Sequence, residues 1–520
     1  MRSAIILCAM SFNGLAAYAQ APGDLDPSFS GDGIATTDFG ANANERGNGM
    51  ALQADGRIVV VGSTNTAEES SFALARYMPD GSLDPGFGTN GIVTTQAGAP
   101  GSELNAVALQ ADGRIVVAGT YFVDDVESLW AIARYTSSGQ LDASFADEGL
   151  LLVDVGAGYA DYATDIAVQA DGRIVTTGWA RSGTDYDIGI VRCTASGVLD
   201  ASFSGDGRLT LGYGTNNDGG EAIAVQPDGR ILVAGHTNSG QSVEVVVARF
   251  TAAGLPDTGF GSNGSALCSF GNSADLPSSI ALQPDGRIIV AGTAHSILNW
   301  PLADMALLRL TATGGLDPSF NGDGRYVLPQ LGLSGGSALA LMPDGRIVLG
   351  GTSNSSFLVA MVQADGGLDP DFGTDGMVTN DLGDDAYGMG VAVQPDGKVL
   401  LAGHTRMATT LEDLVVLRYH TDLSIGIADV QGADAELVIH PNPVGAAATL
   451  TFKLAQDERL SLVLLDGTGR MVCALAPEQL LKAGTQRREL ALPARLEPGM
   501  YLITGLSARG AVFQARMIKE

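Results

Sequence analysis

The chain has 520 residues, of which 45% are hydrophobic and only 17% charged, with 70 glycines and a formal net charge of −29. Apolar content of this size rules out wholesale disorder, and the acidity argues against a nucleic-acid binder that works by neutralising phosphates. No internal run of about 18 apolar residues occurs, which argues against a transmembrane segment.

Arg2 is the sole charge among the first 20 residues, and the apolar stretch "AIILCAMSF" follows it. Ala17 and Ala19 then satisfy the A-x-A cleavage rule, so residues 1–19 read as an export signal cut after Ala19. Cys8 would leave with it. Cys193, Cys268 and Cys473 remain, at spacings that suggest neither a CxxC pair nor a metal site. They are expected to be small buried apolar residues, with no disulfide framework.

Residues 20–419 repeat. "ALQADGRIVVVG" returns six more times in close variants, its turn aspartates at Asp55, Asp112, Asp171, Asp228, Asp285, Asp344 and Asp396. A second string, "LDPSF", keeps the same period, with Asp26, Asp84, Asp142, Asp200, Asp257, Asp317 and Asp369. A fixed period of this length signals a repeat architecture. Each unit is read as four strands: a short one such as "GIVTT", then "NAVALQ", an Asp-Gly hairpin turn, "RIVVAG" and "FALARY". Nothing in it has the length and caps of a helix. Four strands cannot bury both sheet faces alone, so the units must stack. The prediction is an all-β fold, a seven-bladed β-propeller, with an open β-solenoid as the competitor. The glycine excess serves positions of positive φ or close backbone approach.

These units resemble the delta-60 repeat family of bacterial exported proteins over about residues 24–419, on "LDPSFGTNG", "ALQADGRIVVAG" and "LARY". The resemblance implies a propeller-like repeat protein and no known reaction, since that family is defined by its repeat.

Residues 420–435 match no complete repeat and read as a linker. From 436 to 520 the composition changes: ten Lys/Arg stand against eight Asp/Glu, so the negative charge belongs to the repeats. Alternating segments from "ELVIHPNPV" to "AVFQARMIKE" predict a small Ig-like β-sandwich. This tail resembles the type A C-terminal sorting domain of the bacterial type IX secretion system. Pro441, Asn442 and Pro443 carry the resemblance, with Gly467, Gly469, Gly499, Met500, Tyr501 and Lys519. His440 stands where the family has an aromatic. The resemblance implies passage across the outer membrane by the type IX machinery, removal of the tail, and release or attachment at the surface of a Gram-negative bacterium. An ordinary Ig-like adhesion domain is the alternative.

Chemistry-bearing motifs are sparse. The five histidines form no metal-ligand spacing, and no nucleophile elbow, P-loop or Cys/His pair occurs. His236 and His404 share one place in the repeat, directly after "AG", where other copies have Ser63, Thr120, Trp179, Thr293 and Thr352. That column lines a channel rim or forms an exposed strand end, and the second reading is the simpler. Two basic residues recur: Arg57, Arg114, Arg173, Arg230, Arg287, Arg346 and Lys398 after the turn, and Arg76, Arg134, Arg192, Arg249, Arg309 and Arg418 in the last strand, with Met361 in the sixth copy. Pairing with the "LDPSF" aspartates is their expected role. Every copy also reads D-x-x-F-x-x-[DNE]-G, a turn pattern whose oxygens are of the kind calcium takes but without a dense D-x-D-x-D array. Turn chemistry is the reading; no cofactor is expected, and calcium is the one candidate. The functional expectation is an exported binding or scaffolding propeller whose partner is a surface glycan or protein. The rival is a polysaccharide-acting enzyme with its site at the channel mouth, where Trp130 and Trp300 in the longer inter-strand segments would stack on sugars.

Overall fold

The structure, a computed structural model, describes residues 20–421 apart from 41–42, 67–69, 100, 157–159, 215, 272–273, 296–302, 329–333 and 407–410. In the tail it describes 438–440, 447–454, 457–466, 471–492, 499–507 and 510–519. Ala19, Trp300, Gly467, Gly469 and the Pro441–Asn442–Pro443 motif lie outside these residues. Every regular element among the described residues is a strand, so no described helix is long and apolar enough to cross a membrane.

Each unit folds into a four-stranded antiparallel sheet. In blade one the strands are Asn44–Leu52, Ile58–Asn65, Ser70–Tyr77 and Ile92–Gln96, hydrogen-bonded in that order from the inside outward. The Asp-Gly turn joins the first two, with Gly56 at φ +84°, where a side chain would be strained. The second strand is apolar without alternation because both its faces are covered. Val59 and Val61 pack with Ile115 and Val117 of blade two, while Ile58 and Val60 pack with Leu400 and Ala402 of blade seven.

The strand order differs from the sequence reading in one respect. "GIVTT" does not open a unit. The D-x-x-F turn reverses the chain, so this strand pairs back on the third strand of the same blade, with Ile92 opposite Ala75 and Thr94 opposite Ala73. The first such strand, Ile34–Thr37, therefore has no blade before it. It pairs instead with Glu412–Tyr419 and completes blade seven, beside Asp384–Val393 and Val399–Arg406. Inner strands pack in sequence around the axis, and the first also packs on the last. The result is a closed ring of seven four-stranded sheets, not an open stack.

The expected ion pairs form within each blade, and the strand arginine of the pair, where present, reaches across to the next blade. In blade one Asp84 Oδ2 lies 3.0 Å from Arg57 Nε and 2.8 Å from Arg76 Nη2. Asp84 Oδ1 accepts the Gly86 N–H at 2.9 Å, which is the turn chemistry read from the motif. The Arg76 guanidinium lies 4.3 Å over the Phe87 ring and donates to the Ser137 carbonyl of blade two at 2.5 Å. Asp142, Asp200, Asp257 and Asp317 take two arginines each in the same way. In blade six Met361 replaces the strand arginine and Arg346 pairs with Asp369 at 2.5 Å. In blade seven the acid is Asp26, from the N-terminal segment, with Lys398 Nζ at 3.0 Å and Arg418 Nε at 2.8 Å. Asp and Phe recur in every copy, and Arg in nearly every one, for one mechanical reason: they form the knot between neighbouring blades.

Cys193 and Cys268 are buried and unbridged, and burial pushes their thiols up to about 12 and about 11. The tail holds two antiparallel sheets of three and four strands. Leu450, Phe452 and Leu490 of the first form one buried cluster with Leu462, Leu464, Tyr501 and Ile503 of the second. Gly499 opens one strand of this tail and lies in register with Lys519, the last residue of the next.

Candidate functional site

The inner strands converge on the ring axis, where a cavity of about 770 Å³ is lined by all seven blades. Every inner strand carries a β-bulge at the same place. The bulged residues are Asn48, Asn105, Thr164, Glu221, Ser278, Ser337 and Met389. An extra residue of this kind is unpaired in the ladder and free to be re-aimed. The bulge also explains the glycine of "VAG". A Cβ on Gly62 would lie 1.8 Å from the Arg46 carbonyl oxygen, and one on Gly403 would lie 1.8 Å from that of Tyr387. Close backbone approach, not positive φ, forbids a side chain there.

Three bulged residues staple adjacent blades. Asn48 Nδ2 donates to the Leu104 carbonyl at 2.9 Å, Asn105 Nδ2 to that of Ala163 at 2.8 Å, and Thr164 Oγ1 to that of Gly220 at 2.8 Å. Glu221 breaks the pattern. Its Oε1 accepts the Trp179 indole N–H at 3.0 Å and lies 3.2 Å from His236 Nδ1. Trp179 in turn stands 5.0 Å from the His236 ring and edge-on to Tyr186 at 5.6 Å. Tyr186 continues to Tyr162 at 6.0 Å and carries Arg181 over its face at 4.8 Å. Blades three and four therefore present an aromatic group around one carboxylate.

One residue past the bulge, six blades have the small residues Gly49, Ala106, Ala222, Ser279, Ala338 and Gly390, and blade three has Asp165. Asp165 lines the cavity and accepts the N–H groups of Ile166 and Ile223, both at 2.8 Å. Burial outweighs those bonds and pushes its carboxyl up to about 6.

Blade seven, across the ring from the junction of blades three and four, carries a second group. Tyr387 is 43% exposed and stacks on His404 with 5.0 Å between ring centroids. Burial pushes the His404 imidazole down. Beside them Arg46 of blade one reaches Glu412 at 2.7 Å, and Arg406 lies 3.8 Å from the same carboxylate.

The column after "AG" is therefore not an exposed strand end. Ser63, Thr120, His236 and His404 are buried, and each residue of the column faces an inner-strand partner two residues before the bulge: Arg46, Glu103, Tyr162, Gly219, Leu276, Gly335 or Tyr387. It backs the channel mouth. Trp130 is fully buried, with its indole N–H on the Trp179 carbonyl at 3.2 Å, so it packs between blades and cannot stack on a ligand. The unique acids and histidines lie on inner and second strands, not in the longer inter-strand segments. Asp165, Glu221 and Tyr387 were missed because the bulge has no composition signal of its own. Comparing the seven copies just before "ALQ" or "AVQ" would have exposed the column.

Seven segments, 53–87, 110–145, 169–203, 226–260, 283–320, 343–372 and 394–425, match the family described as domain of unknown function (DUF5122) beta-propeller. No curated protein matches the chain. Among solved structures it is similar to the extracellular domains 1–2 of Drosophila semaphorin 1b, at 10% identity over 76% of this chain and 87% of that one, TM-score 0.40. It is also similar to the polysaccharide lyase Uly1, at 10% identity over 78% and 98%, TM-score 0.43. A third is a gluconolactonase from Xanthomonas campestris, at 16% identity over 64% and 93%, TM-score 0.32. Likenesses this distant bear on no activity. Seven matches to that family model fall on seven closed sheets, and the chain is a β-propeller repeat protein.

Proposed function

We propose that this propeller is an exported binding protein that engages its partner at the channel mouth. The observation that carries the reading is the contrast within each blade. The Asp–Arg–Phe knot is nearly the same in all copies, while the bulge column and its neighbours vary around the ring, with Glu221 and Asp165 each occurring in a single blade. Side chains that serve only the ring have no reason to differ. Exposed Tyr387 and the Trp179–Tyr186–Tyr162 group offer flat faces, and Glu221, Glu412 and Arg46 offer hydrogen bonds beside them. A neutral or cationic glycan or peptide fits such a mouth, given the strongly negative field of the repeats. Export by the signal at 1–19, and delivery to the surface by an Ig-like type IX sorting tail, complete the proposal; the seven tail strands, with Tyr501 in their shared core, support it.

A glycan array and a surface-peptide pull-down with the full chain test it. Expected are binding to one class and loss of that binding in Tyr387→Ala and Glu221→Gln, both still folded. Binding untouched by either variant would remove the mouth as the site. The enzyme reading is favoured by one observation, an Asp165 poised near neutrality in the cavity. It requires turnover of a polysaccharide that disappears in Asp165→Asn.

A further inference from the structure

The seam where blade seven meets blade one holds a second, separate arrangement. Three residues before each bulge, blades three, four and five have Asp161, Asp218 and Asp275. Each ties down the loop that enters its blade. Asp161 Oδ2 accepts the N–H groups of Val155 and Gly156, Asp218 Oδ2 that of Tyr213, and Asp275 Oδ2 that of Phe270. In blade one the equivalent residue is Glu45, one methylene longer. It is 1% exposed, its Oε1 accepts the Thr64 hydroxyl at 3.3 Å, and its Oε2 is buried with no hydrogen-bond partner among the described residues. Glu45 faces acids instead: one carboxylate oxygen each from Asp38, Glu45 and Asp413 lie within 4.8 Å of one another. Directly across the ladder from Asp413, on the same sheet face, Thr405 is fully buried and its hydroxyl also lacks a partner. Neither Asp38 nor Glu45 has a basic partner among the described residues. A buried carboxylate with one oxygen lacking a donor and no counter-charge is costly, and nothing in the fold of the other blades requires it.

We propose that Asp38, Glu45 and Asp413 seat a hard divalent cation of the calcium class, with the Thr405 hydroxyl beside it, at the ring-closing seam. The donors are all oxygen, which suits calcium or magnesium and not zinc or copper. Asp38 is exposed and gives solvent access. Because it follows the ring-closing strand Ile34–Thr37, while Glu45 opens blade one and Asp413 belongs to blade seven, one ion ties the terminal segment to both blades. The site is separate from the seven D-x-x-F loops, whose aspartate oxygens go to turn N–H groups and guanidinia; here Asp38 Oδ1 accepts the Gly40 N–H at 2.6 Å and its other oxygen is left for the ion.

The test is calorimetric titration of calcium chloride, and separately magnesium chloride, into the full chain after dialysis against a chelator, with thermal melting in parallel. Expected is about one calcium per chain and a raised Tm, with affinity weakened at least about tenfold in Glu45→Gln and in Asp413→Asn. Asp154→Asn, the exposed acid at the corresponding place between blades two and three, leaves binding unchanged. Should a buried variant not fold, Asp38→Asn, on the surface, still reports the loss. Absence of both heat and Tm shift overturns the proposal. So does binding that persists undiminished in Glu45→Gln or Asp38→Asn, and binding of several ions per chain that survives them would point to the D-x-x-F loops instead.

Discussion

Arg418 of the last blade places its Nε 2.8 Å from Oδ2 of Asp26, at the other end of the propeller sequence. Both are buried, at 5% and 2% exposure. Arg418 also lies over Phe29 at 4.7 Å and donates to the Pro79 carbonyl of blade one at 2.5 Å. The same knot that joins neighbours elsewhere here joins the two ends of the ring.

Breaking that latch is therefore expected to cost more than a surface ion pair. Arg418→Met should destabilise by about 2–4 kcal/mol, since Lys398 remains to partner Asp26 but the inter-blade bond is lost. Denaturant melts measure it; a change under about 0.5 kcal/mol would refute the latch.

The converse substitution exists in the wild-type ring. Met361 stands where the other blades have arginine, leaving Asp369 with Arg346. Met361→Arg should restore the knot and stabilise by about 1 kcal/mol. A lower melting temperature would show that blade six has repacked around the methionine.

Deleting residues 20–37 removes the closing strand and leaves Glu412–Tyr419 as a bare edge. Unpaired edges recruit other chains. The truncated chain should form oligomers or aggregates by light scattering, and a monomer with unchanged melting would contradict the closure.

The ring aspartates and the channel acid respond oppositely to pH. The Ser144 hydroxyl first, then the Ser144 N–H and Arg134, hold Asp142 down at about 2 against an ordinary 3.8. Burial pushes Asp84, Asp200 and Asp317 up, but turn N–H groups, serine hydroxyls and guanidinia outweigh it and leave them below the ordinary value. A depressed carboxylate contributes stability above its unfolded value and loses it as pH falls through the folded one. Melting temperature should thus fall steeply between about pH 4 and 2, less so in Arg134→Met.

Asp165 behaves the other way. Its folded value of about 6 exceeds the ordinary 3.8, so its contribution is whole below about pH 4 and is lost as pH rises through about 6. Asp165→Asn should flatten that part of the Tm–pH curve. An unaltered slope would mean that Asp165 titrates normally.

Much of this was legible because repetition is itself a measurement: seven copies report which residues the frame needs. Asp84, Phe87 and Arg76 recur together, and they touch. The channel side chains were harder to see. Glu221 and Asp165 look like any two of 58 acids until the bulge sets them on the axis.

The sequence by itself determined the all-β unit, its period, its turns and the ion-paired knot, because those depend on contacts within one unit or with its immediate neighbour. Only the tertiary structure decided which strand completes which blade, how the ends meet, and which acids share the seam. Those relationships join residues hundreds of positions apart, and they exist only once the sheets have closed into a ring.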